Sequence, residues 1–172
     1  IRFRPDEQIF GKDAQFEPER VFRMTKAKAY LFGGVEIRWS CDKSLIEGTD
    51  VPEKDSFHFE AGLRDYLASN IEKRTRVHKD IFAGKSEKKS GHGAVEWAVA
   101  WIADEDGFVN SYCNTIPTPD GGTHENGLRN ALLKSLKDYA DRTGNKRANA
   151  ITADDVMDGA TAIVSVFIRD PE

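Results

Sequence analysis

The run from Ala160 to Ile168 constrains the fold more than any other stretch. It is apolar and β-branched, too short to span a membrane, and suited to a strand buried on both faces. Two further strands are expected at 94–102 and 108–116, with Asp104-Glu105-Asp106-Gly107 as a hairpin turn between them. The clearest helix comes next. Leu128, Ala131, Leu132, Leu136, Tyr139 and Ala140 recur at helical spacing, which predicts one core-facing stripe. Thr123 is its candidate N-cap, Glu125 favours its positive end, and Gly144 stops it. Thr152 caps a short helix through Met157, with Asp154 and Asp155 in its first turn.

The first third follows similar rules. Ile1-Arg2-Phe3-Arg4 alternates as a strand does, and Pro5-Asp6-Glu7 turns the chain. Pro18 opens a helix that stops at Gly33-Gly34. Strands are expected at 35–39 and 57–59, with a polar loop or hairpin between them. Gly62 to Ile71 reads as an amphipathic helix, and the Lys- and Arg-rich 72–90 as solvated strand and loop. The expected whole is one α+β domain over residues 1–172, a sheet with helices on one face. With no initiator Met, a strand-like start and an Asp-Pro-Glu end, it reads as cut from a longer protein.

Composition narrows the function classes. Hydrophobic residues make up 39% and charged residues 31%, as in a soluble globular domain, and nothing resembles a signal peptide. The net charge of -4 gives no global nucleic-acid signal, so any DNA contact needs a local patch. Cys41 and Cys113 form no CxxC pair and read as free thiols. His58, His78, His92 and His124 lack metal-ligand spacing, and no GxSxG elbow occurs. Pro119-Asp120-Gly121-Gly122-Thr123-His124 runs from a Gly-rich turn into a helix and could cradle an anion, but without a P-loop lysine. The plainer reading is a tight turn. No catalytic, metal-binding or cofactor-binding residue is assigned.

The stretch from Asn114 to Arg129, containing Thr118-Pro119-Asp120-Gly121-Gly122-Thr123-His124-Glu125-Asn126-Gly127, resembles the strand–turn–helix hallmark of type IIA topoisomerase B subunits, the gyrase and topoisomerase IV family. Residues 1–10, 29–37, 59–67 and 160–172 are similar to other segments of the same region, the first to the strand that follows the ATP-binding lobe. The 94–101 strand, Ile116-Pro117-Thr118 and Asn126-Gly127-Leu128-Arg129 are closer to the topoisomerase IV branch than to gyrase.

The resemblance implies a transducer domain. Its fold is shared with a ribosomal protein and with translocases and contains a left-handed βαβ crossover, where right-handed is the rule. It implies that ATP and magnesium belong to a preceding lobe of the parent, and that a γ-phosphate-sensing lysine lies beyond Glu172. The chain alone is expected to be inactive. Implied partners are double-stranded DNA, the A subunit of topoisomerase IV and, in the ATP-closed state, a second B subunit, in the cytoplasm and without a membrane. Arg129 matches a family arginine facing the cavity through which DNA passes, and Lys134 and Lys137 could extend that basic surface. Arg129 lies off the Leu128–Leu132–Leu136 stripe and is expected to point away from the core. A stand-alone nucleic-acid-binding module of the same fold is the rival reading; an unrecognised hydrolase is a third.

Overall fold

A computed structural model describes residues 1–2, 4–12, 14–87, 93–103 and 106–171. By its contacts the chain divides into two compact units, residues 1–59 and 60–172, where the sequence reads as one domain. In the first unit, α1 (Glu7–Phe10) is a single turn, and α2 (Pro18–Leu31) packs on a hairpin of β1 (Glu36–Ser40) and β2 (Lys54–His58). Pro18 sits in the first turn of α2, where its missing N–H has no helical partner to lose. Phe22 meets Trp39 and Phe57 edge-on at 5.4 and 5.3 Å, a favoured aromatic geometry. Tyr30 stacks on Phe59 at 3.6 Å. Of the expected opening strand, Phe3 lies outside the described residues. Ile1, Arg2 and Arg4 join no sheet, because alternation alone makes no strand without a partner's hydrogen bonds.

The second unit is a five-stranded mixed sheet in the order β3-β4-β7-β5-β6. Its strands are β3 (Phe82–Glu87), β4 (Ala94–Trp101), β5 (Phe108–Cys113), β6 (Ile116–Pro117) and β7 (Ala160–Phe167); its helices are α3 (Leu63–Asn70), α4 (Thr123–Thr143) and α5 (Ala153–Met157). β7 is central, antiparallel to β4 and parallel to β5. Parallel neighbours need a crossover, and α4 with α5 supplies it, making β5–α4–β7 a βαβ unit. Six of the eight β7 residues are buried, as its composition requires.

Three expectations are corrected here. The 94–101 and 108–113 strands are not a hairpin, since β7 lies between them; of the expected turn, Asp104 and Glu105 lie outside the described residues. A late strand this apolar gains more in the centre of the sheet than at an edge.

Helices also cover both sheet faces, not one. Leu132 of α4 and Val156 of α5 cluster with Val99 and Ala162, with Val109 packed against them. Tyr66 of α3 bonds instead to Tyr112, whose side chain lies on the face opposite Val109. Burial pushes the Tyr112 phenol well above its ordinary value, and the Tyr66 hydroxyl adds to the shift. The cause of the two-faced cover is β7 itself: its successive residues Ile163 and Val164, which point to opposite faces, are both fully buried, so each face needs a layer.

The third correction is the α4 stripe. Leu132 and Ala140 are buried, and Leu128 and Leu133 pack on the core, but Leu136 is 42% and Tyr139 67% exposed. Gly122, not Thr123, is the N-cap; Gly144 closes the helix in the left-handed conformation as expected. Thr152 and Asp155 form a complete capping box on α5.

Leu132→Ala is expected to cost about 2–5 kcal/mol and Leu136→Ala under ~1 kcal/mol in denaturant melts. Equal costs would mean that α4 is rotated about its axis. Gly127 lies inside α4 with nothing within 4 Å of where a Cβ would stand. Gly127→Ala should therefore stabilise by about 0.5–1 kcal/mol in the same melts, and a loss would show the site to be filled.

Candidate functional site

The 114–129 segment joins β5 to α4, and its geometry starts at a two-residue link. Cys113 pairs with Ile116, leaving Asn114 (φ 49°) and Thr115 (φ 67°) as the turn. Successive left-handed residues are what a tight hairpin of the primed type requires. Asn tolerates this conformation; a β-branched Thr does so only under strain. Pro117 sits on the edge strand β6, where its missing donor is harmless.

Asn114 also clasps the chain leaving β7. Its Nδ2 donates to Ile168 O at 2.9 Å, its Oδ1 accepts from Ile168 N at 3.0 Å, and its own N–H donates to Val166 O at 2.8 Å. One side chain thus replaces a missing rung of sheet between the turn and the exit of β7.

A second set of hydrogen bonds ties the turn to α4. The Ser111 and Thr118 hydroxyls lie 2.7 Å apart, and Ser111 Oγ also donates to Thr118 O at 3.1 Å. Thr118 Oγ1 is 3.2 Å from His124 Nε2. A longer Ser111 bond reaches Glu125 Oε2 at 3.5 Å, and Glu125 Oε1 receives Arg129 Nη2 at 3.3 Å. The network joins β5, the Gly-rich turn and the first two turns of α4. A carboxylate therefore already sits at the positive end of α4. A Cβ on Gly121, at φ 76°, would stand 3.1 Å from Glu125 Oε2. This occupancy argues against the anion cradle that the Gly-rich turn suggested.

The three basic candidates do not form one surface. Arg129 is on the core-facing side of α4, in line with Leu132 and Leu133, which follow it by three and four residues. It is 35% exposed and lines a cleft of about 420 Å³ with Glu125, Asp120, Phe108, Met157 and Ala160. The expectation that it points away from the core is thus corrected, because Arg129 falls between Leu132 and Leu133 around α4, both of which belong to or pack on the core. Lys134 is exposed and Lys137 half-buried. Lys134 lies about 140° around the helix from Arg129, five residues on. Among the described residues no cluster of three His, Cys, Asp or Glu is placed to hold a metal, both cysteines are free, and no helix is long and apolar enough to cross a membrane.

A sheet covered by helices on both faces, whose strand–turn–helix is locked to the exit of its central strand, defines a class that the comparisons identify. The DNA gyrase B family model matches residues 62–172, and the chain belongs to that family. Similar curated proteins are named as the B subunit of DNA topoisomerase 4. That of Bartonella bacilliformis is 52% identical over 100% of this chain and 25% of its own length, and that of Caulobacter vibrioides 51% over the same shares. The chain thus spans about a quarter of these relatives. Among solved structures, the 43K ATPase domain of Thermus thermophilus gyrase B, in complex with an aminocoumarin, aligns at TM-score 0.80 and 26% identity, over 99% of this chain and 44% of that one. The topoisomerase IV ATP-binding domain of Francisella tularensis aligns at 0.73 and 26%, over 96% and 42%.

Sequence reasoning found the segment but missed Ser111 and the Asn114 clasp. An Asn opening a two-residue link between strand patterns was the available signal for the turn. Nothing local announces Ile168 as its partner, 54 residues away.

Asn114→Ala should cost about 1–3 kcal/mol, from two lost hydrogen bonds and a left-handed backbone. Asn114→Gly should recover only the backbone part. Asn114→Gly melting like the unmutated chain would show the clasp to be energetically idle.

Proposed function

We propose that this chain is the transducer domain of a type IIA topoisomerase B subunit of the topoisomerase IV kind. It relays ATP binding and hydrolysis to DNA gate opening and strand passage. The observation that carries the reading is the end-to-end match to a quarter of the B subunits of DNA topoisomerase 4, joined to structural likeness to part of two ATPase-region domains. In the longer protein, ATP and magnesium are held by a neighbouring lobe. The partners are double-stranded DNA, the A subunit of topoisomerase IV, and a second copy of the B subunit. A relay needs packed elements with two arrangements rather than chemistry of its own, and a hydrogen-bonded hub tied to one exit strand is suited to that task. On this reading the β5–α4–β7 crossover is expected to be left-handed, as the resemblance implies. A stand-alone nucleic-acid-binding module is disfavoured by the net charge of -4 and by the separation of Arg129 from Lys134 around α4.

Within this reading Arg129 contacts passing DNA phosphate from the rim of its cleft, and Lys134 and Lys137 are weaker contributors. In the intact topoisomerase, reconstituted from its two kinds of polypeptide, Arg129→Gln should leave melting and basal ATP hydrolysis nearly unchanged, because a partly exposed i,i+4 pair contributes under ~1 kcal/mol. DNA-stimulated hydrolysis and strand passage should fall, and the salt dependence of DNA binding should become shallower by about one unit. A melting loss of several degrees makes Arg129 structural. Unchanged melting with unchanged DNA stimulation makes it ordinary surface charge.

A further inference from the structure

Successive residues at the end of β5 hold different parts of the second unit. Ser111 and Tyr112 point to opposite faces of the sheet, as neighbours in a strand must. The Ser111 hydroxyl meets that of Thr118 at 2.7 Å and so reaches the Gly-rich turn and α4. The Tyr112 hydroxyl meets Tyr66 of α3 at 3.2 Å on the other face. Cys113 pairs with Ile116 of the edge strand, and Asn114 holds Ile168 at the exit of β7.

The turn that follows does not determine its own shape. Thr115 is buried, and its backbone sits at φ 67°, where a β-branched residue is strained. Such strain persists only where the surroundings impose it, and it gathers at functional and switching segments. Two anchors impose it here. On one side Asn114 bonds Val166 and Ile168; on the other Thr118 N donates to Ser111 O at 2.9 Å and the two hydroxyls meet. While both anchors hold, the turn is stiff and the position of one fixes the other. When either lets go, Thr115 is free to relax and the two ends part company. That is a two-state element which both ends bias, the physical requirement for coupling between sites.

We propose that the Asn114–Thr115 turn is the joint of the relay, and that Asn114 is a positioning residue keeping the chain that leaves β7 in step with the start of α4. The side chain suits the task. One amide group both donates to and accepts from the backbone of Ile168, and Asn tolerates the left-handed conformation better than other residues with a side chain. The same joint bears on Arg129, because the hub runs from Ser111 through Glu125 to that guanidinium. The proposal rests on the transducer reading and names the residues through which the relay acts.

The test measures ATP hydrolysed per strand passage in the intact topoisomerase, reconstituted from its two kinds of polypeptide. Unfolded molecules contribute to neither rate, so a variant that is merely less stable keeps the ratio. Asn114→Gly retains the left-handed backbone but loses both side-chain bonds to Ile168, and it is expected to raise the ratio at least about threefold. Ser111→Ala weakens the other anchor and should raise the ratio in the same way. The double variant should be no worse than the worse single one, within about twofold, since a joint open at one end is already open. Val99→Ala thins the core at β4 without touching these bonds and should leave the ratio unchanged. A ratio unmoved by Asn114→Gly overturns the proposal. So do single effects that multiply in the double variant, or a ratio raised equally by Val99→Ala. The transducer reading survives each of these. Should Asn114→Gly fail to fold, Ser111→Ala is read in its place, and an unmoved ratio there has the same force. An unmutated enzyme whose strand passage does not depend on ATP overturns the transducer reading and the joint with it.

Discussion

Burial of β7 on both faces is the constraint on which the second unit depends. Ala162, Ile163 and Val164 are each completely inaccessible to solvent, and so are Thr161 and Ser165. Strands must flank β7 on each edge and helices must cover each face. The antiparallel β4 and the parallel β5 supply the edges; α4 with α5, and α3 on the other side, supply the covers. Even the polar members obey the rule. Thr161 returns its hydroxyl to Ala100 O at 3.0 Å, the carbonyl of the residue it faces across the β4 ladder. The Ser165 hydroxyl has no partner, a cost that only a tightly determined strand position sustains.

Position in the sheet then determines what the strand–turn–helix can do. β5 lies beside β7 in parallel, so the end of β5 and the end of β7 emerge at the same edge of the sheet. There Asn114 meets Ile168. The Ser111–Thr118–His124 bonds on one side of the turn and the Asn114 bonds on the other make the turn a rigid bracket between α4 and the outgoing chain. Displacement of either would be felt by the other through short hydrogen bonds rather than through soft side-chain packing.

What the sequence made legible was local. Helix limits followed from Pro18, Gly144 and Thr152, whose backbone preferences act within a turn of where they stand. The doubly buried strand followed from a run of β-branched residues. What was not legible was pairing at a distance. Alternation at 94–102 and 108–116 suggested neighbours, because consecutive strands usually pair. The insertion of β7 between them depends on competition among strands for the most buried slot, which no local window contains. The α4 stripe failed differently. Leu136 and Tyr139 have the right spacing but stay exposed, while Ala140 beyond them is buried, where α4 meets α5 and residues 146–150.

Arg129 shows how burial changes the meaning of a charge. Had it stood on the outer face of α4, its guanidinium would be hydrated and free to follow any phosphate. Instead its stem lies along the core side and its head is held by Glu125, itself only 18% exposed. Water screens such a pair less than a surface pair, so part of the positive potential is neutralised at short range. A phosphate approaching the cleft meets the arginine and the glutamate together. Attraction then depends on whether the guanidinium can keep one face toward Glu125 while offering another outward, which its planar fork of donors permits and a lysine ammonium would not. The pairing therefore narrows the role that Arg129 can have. It suits a contact of fixed direction at one place on a wall, and it is poorly suited to diffuse steering of DNA from a distance.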